Sequence, residues 1–362
     1  MREVWSHDIR PTLGEYAESL KEAGAGIFIN GVGEIGLSLL KLALNGGIPI
    51  VGVHEPHPKA TLEALAIRLG HGRSEGVTCD PSSHTISYHG RTIPVLRELT
   101  DAHRFEPREG ISQTIVVDCS GFDFTRARAQ KFIDAGAEAV FFSGPGANEE
   151  ERQNIPLLLH GVSLDRLGRD TRIGSMGSCT TNSVVAPILA LHEAFGVEAG
   201  TMISVHSATN SDSACDTWTG RGILDAIGKP GGSGALKLVG LLVRDLEHAF
   251  AGGAIRVPAA DGSMTYLTLF VADDSVTADR VNGVLEKVAE KSVFFDMNRS
   301  PEPLTISDIR ETYHLAWLDP RQTRVVPVPG KGVMVQLASA YSNKWGYAAA
   351  LLALPAKWAA SR

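Results

Sequence analysis

The run Gly26-Ile27-Phe28-Ile29-Asn30 passes into Gly31-x-Gly33-x-x-Gly36, after which Leu37, Leu39, Leu40, Leu42 and Ala43 recur with helical spacing. The pattern reads as strand, glycine turn, helix, and it constrains the fold more than any other stretch. Glycines in such a turn let the backbone approach a pyrophosphate, and the helix start attracts its charge. A glycine turn with no ligand fits the same residues. A second apolar run, Ile48–Val53, ends at His54-Glu55-Pro56, and Ala60–Leu69 is again helical. Strand, helix, strand implies a parallel sheet. Glu55 stands where an acidic side chain accepts hydrogen bonds from ribose hydroxyls and repels a 2′-phosphate, which favours NAD over NADP. A solvated strand-end charge is the alternative for Glu55.

Thr85–Leu96 alternates around His89-Gly90-Arg91, as an antiparallel hairpin inserted into this pattern would. Parallel winding resumes with a strand at Thr114–Asp118, a helix at Thr125–Ala135 and a strand at Ala139–Phe142. From Ser178 the character changes. A helix from about Thr180 to Phe195 precedes strand-like runs at Thr201–Val205, Ala254–Val257, Met264–Val271 and Val333–Ala340, with helices near Gly234–Glu247 and Thr277–Glu290. The expected architecture is α/β: a Rossmann-type dinucleotide-binding domain plus an α+β catalytic domain with a mostly antiparallel sheet. The expected divisions are a helical extension over 1–24, a nucleotide-binding domain over 25–178 and 343–362, and a catalytic domain over 179–342. Ser207–Gly232, rich in Ser, Asp, Gly and Thr, is expected to be a long functional loop.

At 362 residues the chain has room for about two domains of roughly 100–200 residues each. Its 34 basic and 41 acidic side chains give a charge of −7, so there is no basic footprint for nucleic acid or an anionic membrane. Four scattered cysteines, Cys79, Cys119, Cys179 and Cys215, offer neither a disulfide framework nor a CxxC metal pair. A cytoplasmic location is expected, with no metal. The charged stretch Met1–Gly24 lacks the apolar core of a signal peptide and reads as an amphipathic helix.

Cys179 lies in Gly177-Ser178-Cys179-Thr180-Thr181-Asn182, between a strand and an apolar helix. A thiol at a helix start feels the positive end of the dipole, which is expected to lower its pKa. His206 follows the end of a later strand, placed to pair with it as base to nucleophile. Taken singly, each is also compatible with plain packing.

With these residues the chain resembles the phosphorylating glyceraldehyde-3-phosphate dehydrogenases. The resemblance is carried in order by Ile29-Asn30-Gly31-Val32-Gly33-Glu34-Ile35-Gly36, Ser178-Cys179-Thr180-Thr181-Asn182, Val205-His206, Gly234-Ala235-Leu236-Lys237, Ile255-Arg256-Val257-Pro258 and Asn343-Lys344-Trp345-Gly346-Tyr347. It implies that Cys179 attacks an aldehyde with His206 as base, that NAD accepts hydride, and that inorganic phosphate releases the thioester as an acyl phosphate. It also implies an attacking-phosphate site at Ser178, Thr180, Ser233 and Gly234, and a substrate-phosphate site at Thr209 and Arg256. Cofactor contacts are implied at Asn30, Gly31, Gly33, Glu34, Ile35, Gly36, Glu55, Ser120, Gly121 and Asn343, the last for the nicotinamide carboxamide. Trp345 and Tyr347 read as packing residues. A homotetramer is expected by resemblance.

The chain departs from the family pattern in several places. Glu34 stands where arginine is usual, which is expected to weaken cofactor affinity. The Ser207–Gly232 loop is shorter, has Ser207-Ala208-Thr209-Asn210-Ser211-Asp212 and keeps only Arg221 of a usual arginine pair. Ser233 replaces threonine, and Ser183 replaces a common cysteine. The leading substrate is glyceraldehyde 3-phosphate. Erythrose 4-phosphate or a specialised aldehyde is the rival within the class, and an inactive paralogue acting as a binding protein is the rival outside it.

Overall fold

The computed structural model describes residues 8–56, 62–70, 77–99, 103–208, 229–232, 234–259, 261–310 and 312–361. The chain divides into two compact units. Of the expected site residues, Thr209 and Ser233 lie outside the described residues, as do Cys215 and Arg221.

The first unit comprises Asp8–Leu158, Asp165–Met176 and Leu351–Arg362. In chain order it runs α1 (Arg10–Glu22), β1 (Ala25–Asn30), α2 (Glu34–Asn45), β2 (Ile50–His54), α3 (Leu62–Gly70), β3 (Val77–Asp80), β4 (Thr85–Tyr88), β5 (Arg91–Leu96), β6 (Gln113–Asp118), α4 (Arg126–Asp134), β7 (Ala137–Phe142), α5 (Glu149–Asn154) and β8 (Ile173–Ser175). Its sheet has the order β3-β4-β5-β2-β1-β6-β7-β8. The strands from β5 to β8 are parallel, and β3-β4-β5 is antiparallel. The hairpin therefore extends into a three-stranded edge. β1 is buried at every position, as the centre of a parallel sheet requires. The order of strands reverses between β1 and β6, where open α/β sheets place ligands beyond the strand ends. The amino-terminal helix, expected as a separate extension, is α1. It buries Leu13, Ala17 and Leu20 within this unit, against β1 and α2.

The second unit holds Leu159–Leu164 and Gly177–Ala350. It runs α6 (Cys179–Phe195), β9 (Val197–Ser207), β10 (Lys229–Gly232), α7 (Lys237–Leu242), β11 (Phe250–Val257), β12 (Ser263–Val271), α8 (Ala278–Ala289), β13 (Phe295–Met297), α9 (Ile306–Ile309), β14 (Ala316–Leu318), β15 (Arg324–Val328), β16 (Gly332–Tyr341) and α10 (Trp345–Leu351). The sheet order is β10-β11-β9-β12-β16-β14-β13, with β15 also on β16. Only β9 with β11 and β13 with β14 run parallel, so the sheet is mostly antiparallel, as expected. α6 covers one face, against β9, β12, β14 and β16, and α8 packs on α6. Ile203 and its cross-strand neighbour Tyr266 are exposed, as are Met334 and Val326. The last helix, α11 (Ala353–Ala360), belongs to the first unit, where it packs on α1. No described helix is long and apolar enough to cross a membrane.

α6 is specified at both ends. Ser178 and Thr181 form a capping box at its start, and Gly196 closes it in the left-handed region at φ 70°. Pro187 sits inside the helix and has no N–H for the carbonyl of Ser183. Ser339 Oγ from β16 donates to that carbonyl at 3.3 Å, and the Ser183 and Ser339 hydroxyls lie 2.7 Å apart.

Candidate active site

Cys179 is the first residue of α6, and its Sγ lies 3.6 Å from Nε2 of His206 on β9. His206 is buried, and its Nδ1 is 2.7 Å from the carbonyl oxygen of Ser207. That oxygen only accepts, so the proton of the neutral ring sits on Nδ1 and the lone pair on Nε2. Arg256 on β11 is in register with His206 on the parallel neighbour β9, so both side chains leave the same face of the sheet.

The thiol pKa is raised, where a lowering was expected. Burial pushes it up, and the opposing contributions from the amide and hydroxyl of Thr180, the charge of Arg256 and the Asn343 side chain do not overcome it. Desolvation is invisible in a sequence motif, whereas the helix start is not.

Other expected anion ligands are engaged locally. Ser178 Oγ accepts the Thr181 N–H at 3.1 Å and pairs with Thr181 Oγ1 at 2.8 Å. Thr180 Oγ1 is buried and lies 2.8 Å from the Tyr341 hydroxyl, which also lies 2.9 Å from Ser204 Oγ. Gly234 is exposed ahead of α7. Asn343 Nδ2 lies 2.8 Å from His206 Nε2, 3.3 Å from Nδ1 and 3.8 Å from Cys179 Sγ. A donor on the in-plane axis of Nε2 would stand far from Nδ1. Asn343 therefore lies against the ring and leaves the lone pair to the thiol.

In the first unit, Gly31 has φ +90°, and a Cβ there would come 2.7 Å from Ser120 Cα. A Cβ on Gly36 would come 1.9 Å from the Gly31 oxygen. The turn is closed to any side chain at both positions. Gly33 caps α2, and Glu34 and Ile35 open it. Glu34 has a partner that the sequence did not reveal: Arg68 on α3 approaches it at 3.9 Å and donates to Val32 O at 3.2 Å. Glu55 is buried, and its Oε2 accepts the Val32 N–H at 3.0 Å. Asn30 Oδ1 accepts from His54 Nδ1 at 2.6 Å, while Asn30 Nδ2 is buried with no partner among the described residues. Beyond β6, Ser120 is tied to Asp118 and Arg128, and Gly121 takes φ +76°. A side-chain-free turn, a helix start, an unpartnered donor and a carboxylate at the strand end together fit a dinucleotide.

Comparison with known proteins shows which family the chain resembles. The chain is 32% identical over 328 residues to glyceraldehyde-3-phosphate dehydrogenase 1 of Bacillus subtilis (strain 168), covering 88% of this chain and 93% of that protein. The chain belongs to the glyceraldehyde-3-phosphate dehydrogenase family. The enzyme of Priestia megaterium is 31% identical over 330 residues, covering 89% and 94% of the two chains. Glyceraldehyde-3-phosphate dehydrogenase 1 of Saccharomyces cerevisiae is 29% identical over 336 residues, covering 91% and 97%. The family model described as glyceraldehyde 3-phosphate dehydrogenase, C-terminal domain, matches residues 178–343.

Within this family member, sequence reasoning missed Asp261, Ser263 and Tyr341. Asp261 is buried and accepts from the backbone N–H groups of Asn343 and Lys344 at 3.1 and 3.3 Å and from Ser342 Oγ at 3.2 Å, which fixes the turn that carries Asn343. The only signal was Asp261-Gly262-Ser263 as a turn between two strands. Tyr347, read as packing, is buried and also donates to the Gly177 carbonyl at 2.8 Å, next to the start of α6.

Proposed function

We propose that the protein is an NAD-dependent, phosphorylating aldehyde dehydrogenase acting on D-glyceraldehyde 3-phosphate. The observation that carries this is the Cys179 Sγ to His206 Nε2 approach at 3.6 Å, with Arg256 in register beside the histidine. His206 Nε2 takes the thiol proton, and the thiolate attacks the aldehyde carbon. The imidazolium then faces the developing alkoxide, supports its charge and passes the proton to it, giving a thiohemiacetal. Bound at the glycine turn, NAD supplies the two-electron acceptor for the oxidation to thioester. Inorganic phosphate attacks the thioester carbon, the carbon–sulfur bond breaks, and the acyl phosphate leaves with Cys179 restored. Overall, aldehyde, NAD⁺ and phosphate become acyl phosphate, NADH and a proton.

Arg256, with Thr209, is assigned to the substrate phosphate, where a guanidinium suits a dianion. Ser178, Thr180, Ser233 and Gly234 are assigned to the attacking phosphate, the first two with hydroxyls that are also engaged locally. Asn30, Gly31, Gly33, Glu34, Ile35, Gly36, Glu55, Ser120 and Gly121 hold the dinucleotide, and Asn343 keeps the carboxamide-holding role that the resemblance gives it. Glycolysis in the cytoplasm is the matching setting. Exposed Ile203, Tyr266, Val326 and Met334 support a homo-oligomer, by resemblance a tetramer.

Mixing protein, NAD, phosphate and glyceraldehyde 3-phosphate should raise absorbance at the NADH band, and omitting phosphate should stop it. A faster rise with erythrose 4-phosphate would move the substrate within the class. No NADH from any phosphorylated aldehyde, with Cys179 reduced, would sink the enzymatic reading.

A further inference from the structure

The placement of Asn343 against the thiol follows from hydrogen bonds that begin on the backbone. The Ser207 N–H donates to Ser263 Oγ at 3.1 Å, and the Ser263 hydroxyl donates to Asn343 Oδ1 at 2.7 Å. Ser263 has no exposed surface. A serine hydroxyl carries one proton, and this one is committed to Oδ1, so the NH2 of the carboxamide must face the other way. There it meets Cys179 Sγ at 3.8 Å and the imidazole of His206. With the amide turned over, Oδ1 would face the sulfur, and the Ser263 proton would lose its acceptor in a place closed to water. A carbonyl oxygen at that distance opposes negative charge on sulfur, whereas an N–H supports it.

We propose that Ser263 is a positioning residue for the nucleophile: by fixing the orientation of the Asn343 carboxamide it keeps a donor on Cys179 and favours the thiolate that attacks the aldehyde. The proposal rests on Cys179 being the nucleophile. It concerns a residue of the sheet that contacts neither substrate nor cofactor in the role described, and it acts through Asn343.

The test follows alkylation of Cys179 by iodoacetamide against pH in the full-length protein, beside steady-state NADH production. In Ser263→Ala the alkylation profile should move up by about one pH unit, and kcat at neutral pH should fall about tenfold with aldehyde KM unchanged. Ser263→Cys, which keeps the packing and a weaker donor, should fall between, and it carries the test if Ser263→Ala does not fold. The effects of Ser263→Ala and Asn343→Ala should be strongly non-additive, because both remove the same donor from the sulfur. An unshifted profile in the Ser263 variants, or full additivity with Asn343→Ala, overturns the proposal. Cys179→Ser separates the two levels: if it stays active the nucleophile assignment falls, whereas an inactive Cys179→Ser with unshifted Ser263 variants defeats the Ser263 proposal alone.

Discussion

Glu55 Oε2 accepts the backbone N–H of Val32 at 3.0 Å, so the carboxylate at the end of β2 closes onto the glycine turn. One oxygen braces the turn, and in the proposed cofactor site the carboxylate is the group that repels a 2′-phosphate. Glu55→Ala should narrow the preference for NAD over NADP by roughly tenfold, the scale of one charge-assisted hydrogen bond of ~1.5 kcal/mol. Titrating both cofactors into the variant and the parent checks this. An unchanged ratio of affinities would show that selection lies elsewhere.

In the proposed mechanism Cys179 and His206 act as a pair whose proton moves during the reaction. Cys179→Ser should lose phosphate-dependent NADH formation by roughly a thousandfold or more while its melting temperature stays near that of the parent. His206→Asn should lose roughly 10²–10⁴-fold. Since the thiol pKa is raised, alkylation of Cys179 should keep accelerating as pH climbs past the ordinary thiol range. A plateau reached near neutral pH would mean that a preformed thiolate is present instead.

Asp118 has no exposed surface, and Arg128 Nε lies 2.8 Å from its Oδ2. Removing the cation leaves a buried carboxylate whose remaining hydrogen bond among the described residues is from the Ser120 N–H at 2.9 Å. Arg128→Ala should destabilise the protein by about 3 kcal/mol, the low end for a broken buried pair because the guanidinium is partly exposed. Urea unfolding measures it, and a change within error would reduce the pair to a surface contact.

Asp261 has its pKa raised above 3.8, chiefly by burial. The folded state therefore binds the proton more tightly than the unfolded chain. Stability from the protonated form is present below the unfolded pKa and is lost as pH rises through the folded one. Asp261→Asn keeps an oxygen for the Asn343 and Lys344 N–H groups and carries no charge. Its melting temperature should match or exceed the parent's at neutral pH, with the difference moving against the variant as pH falls toward 4. A gain that grows on acidification would reverse the sign assigned to this group.

The first parallel strands and the glycine turn were legible because the apolar period changes abruptly from strand to helix across Gly31–Gly36. Other elements left weak traces. Val77–Asp80 is short, with alternate residues exposed, so β3 carries too little apolar signal. α5 is Glu-Glu-Glu-Arg-Gln-Asn with no buried residue, and only its Asn148 cap and acidic first turn mark it. Cys179 and His206 could be paired from their places at a helix start and a strand end. The direction of the thiol pKa could not, because it depends on desolvation by surrounding residues. Asp261 and Ser263 lie about eighty positions from Asn343 and meet it only once β12 and β16 have paired in register. Arg68, on a different helix from Glu34, was hidden for the same reason.

Pro187 inside α6 and Ser339 on β16 make a single unit of substitution. Proline withholds a donor from the Ser183 carbonyl, and the serine hydroxyl supplies one from another element. Any residue that restored an N–H at 187 would make the hydroxyl at 339 dispensable. Losing that hydroxyl while the proline remains would strand an acceptor four residues beyond Cys179. In a library varied at both positions, the tolerated pairs should be correlated, and each position's tolerance measured alone would misstate what the pair allows.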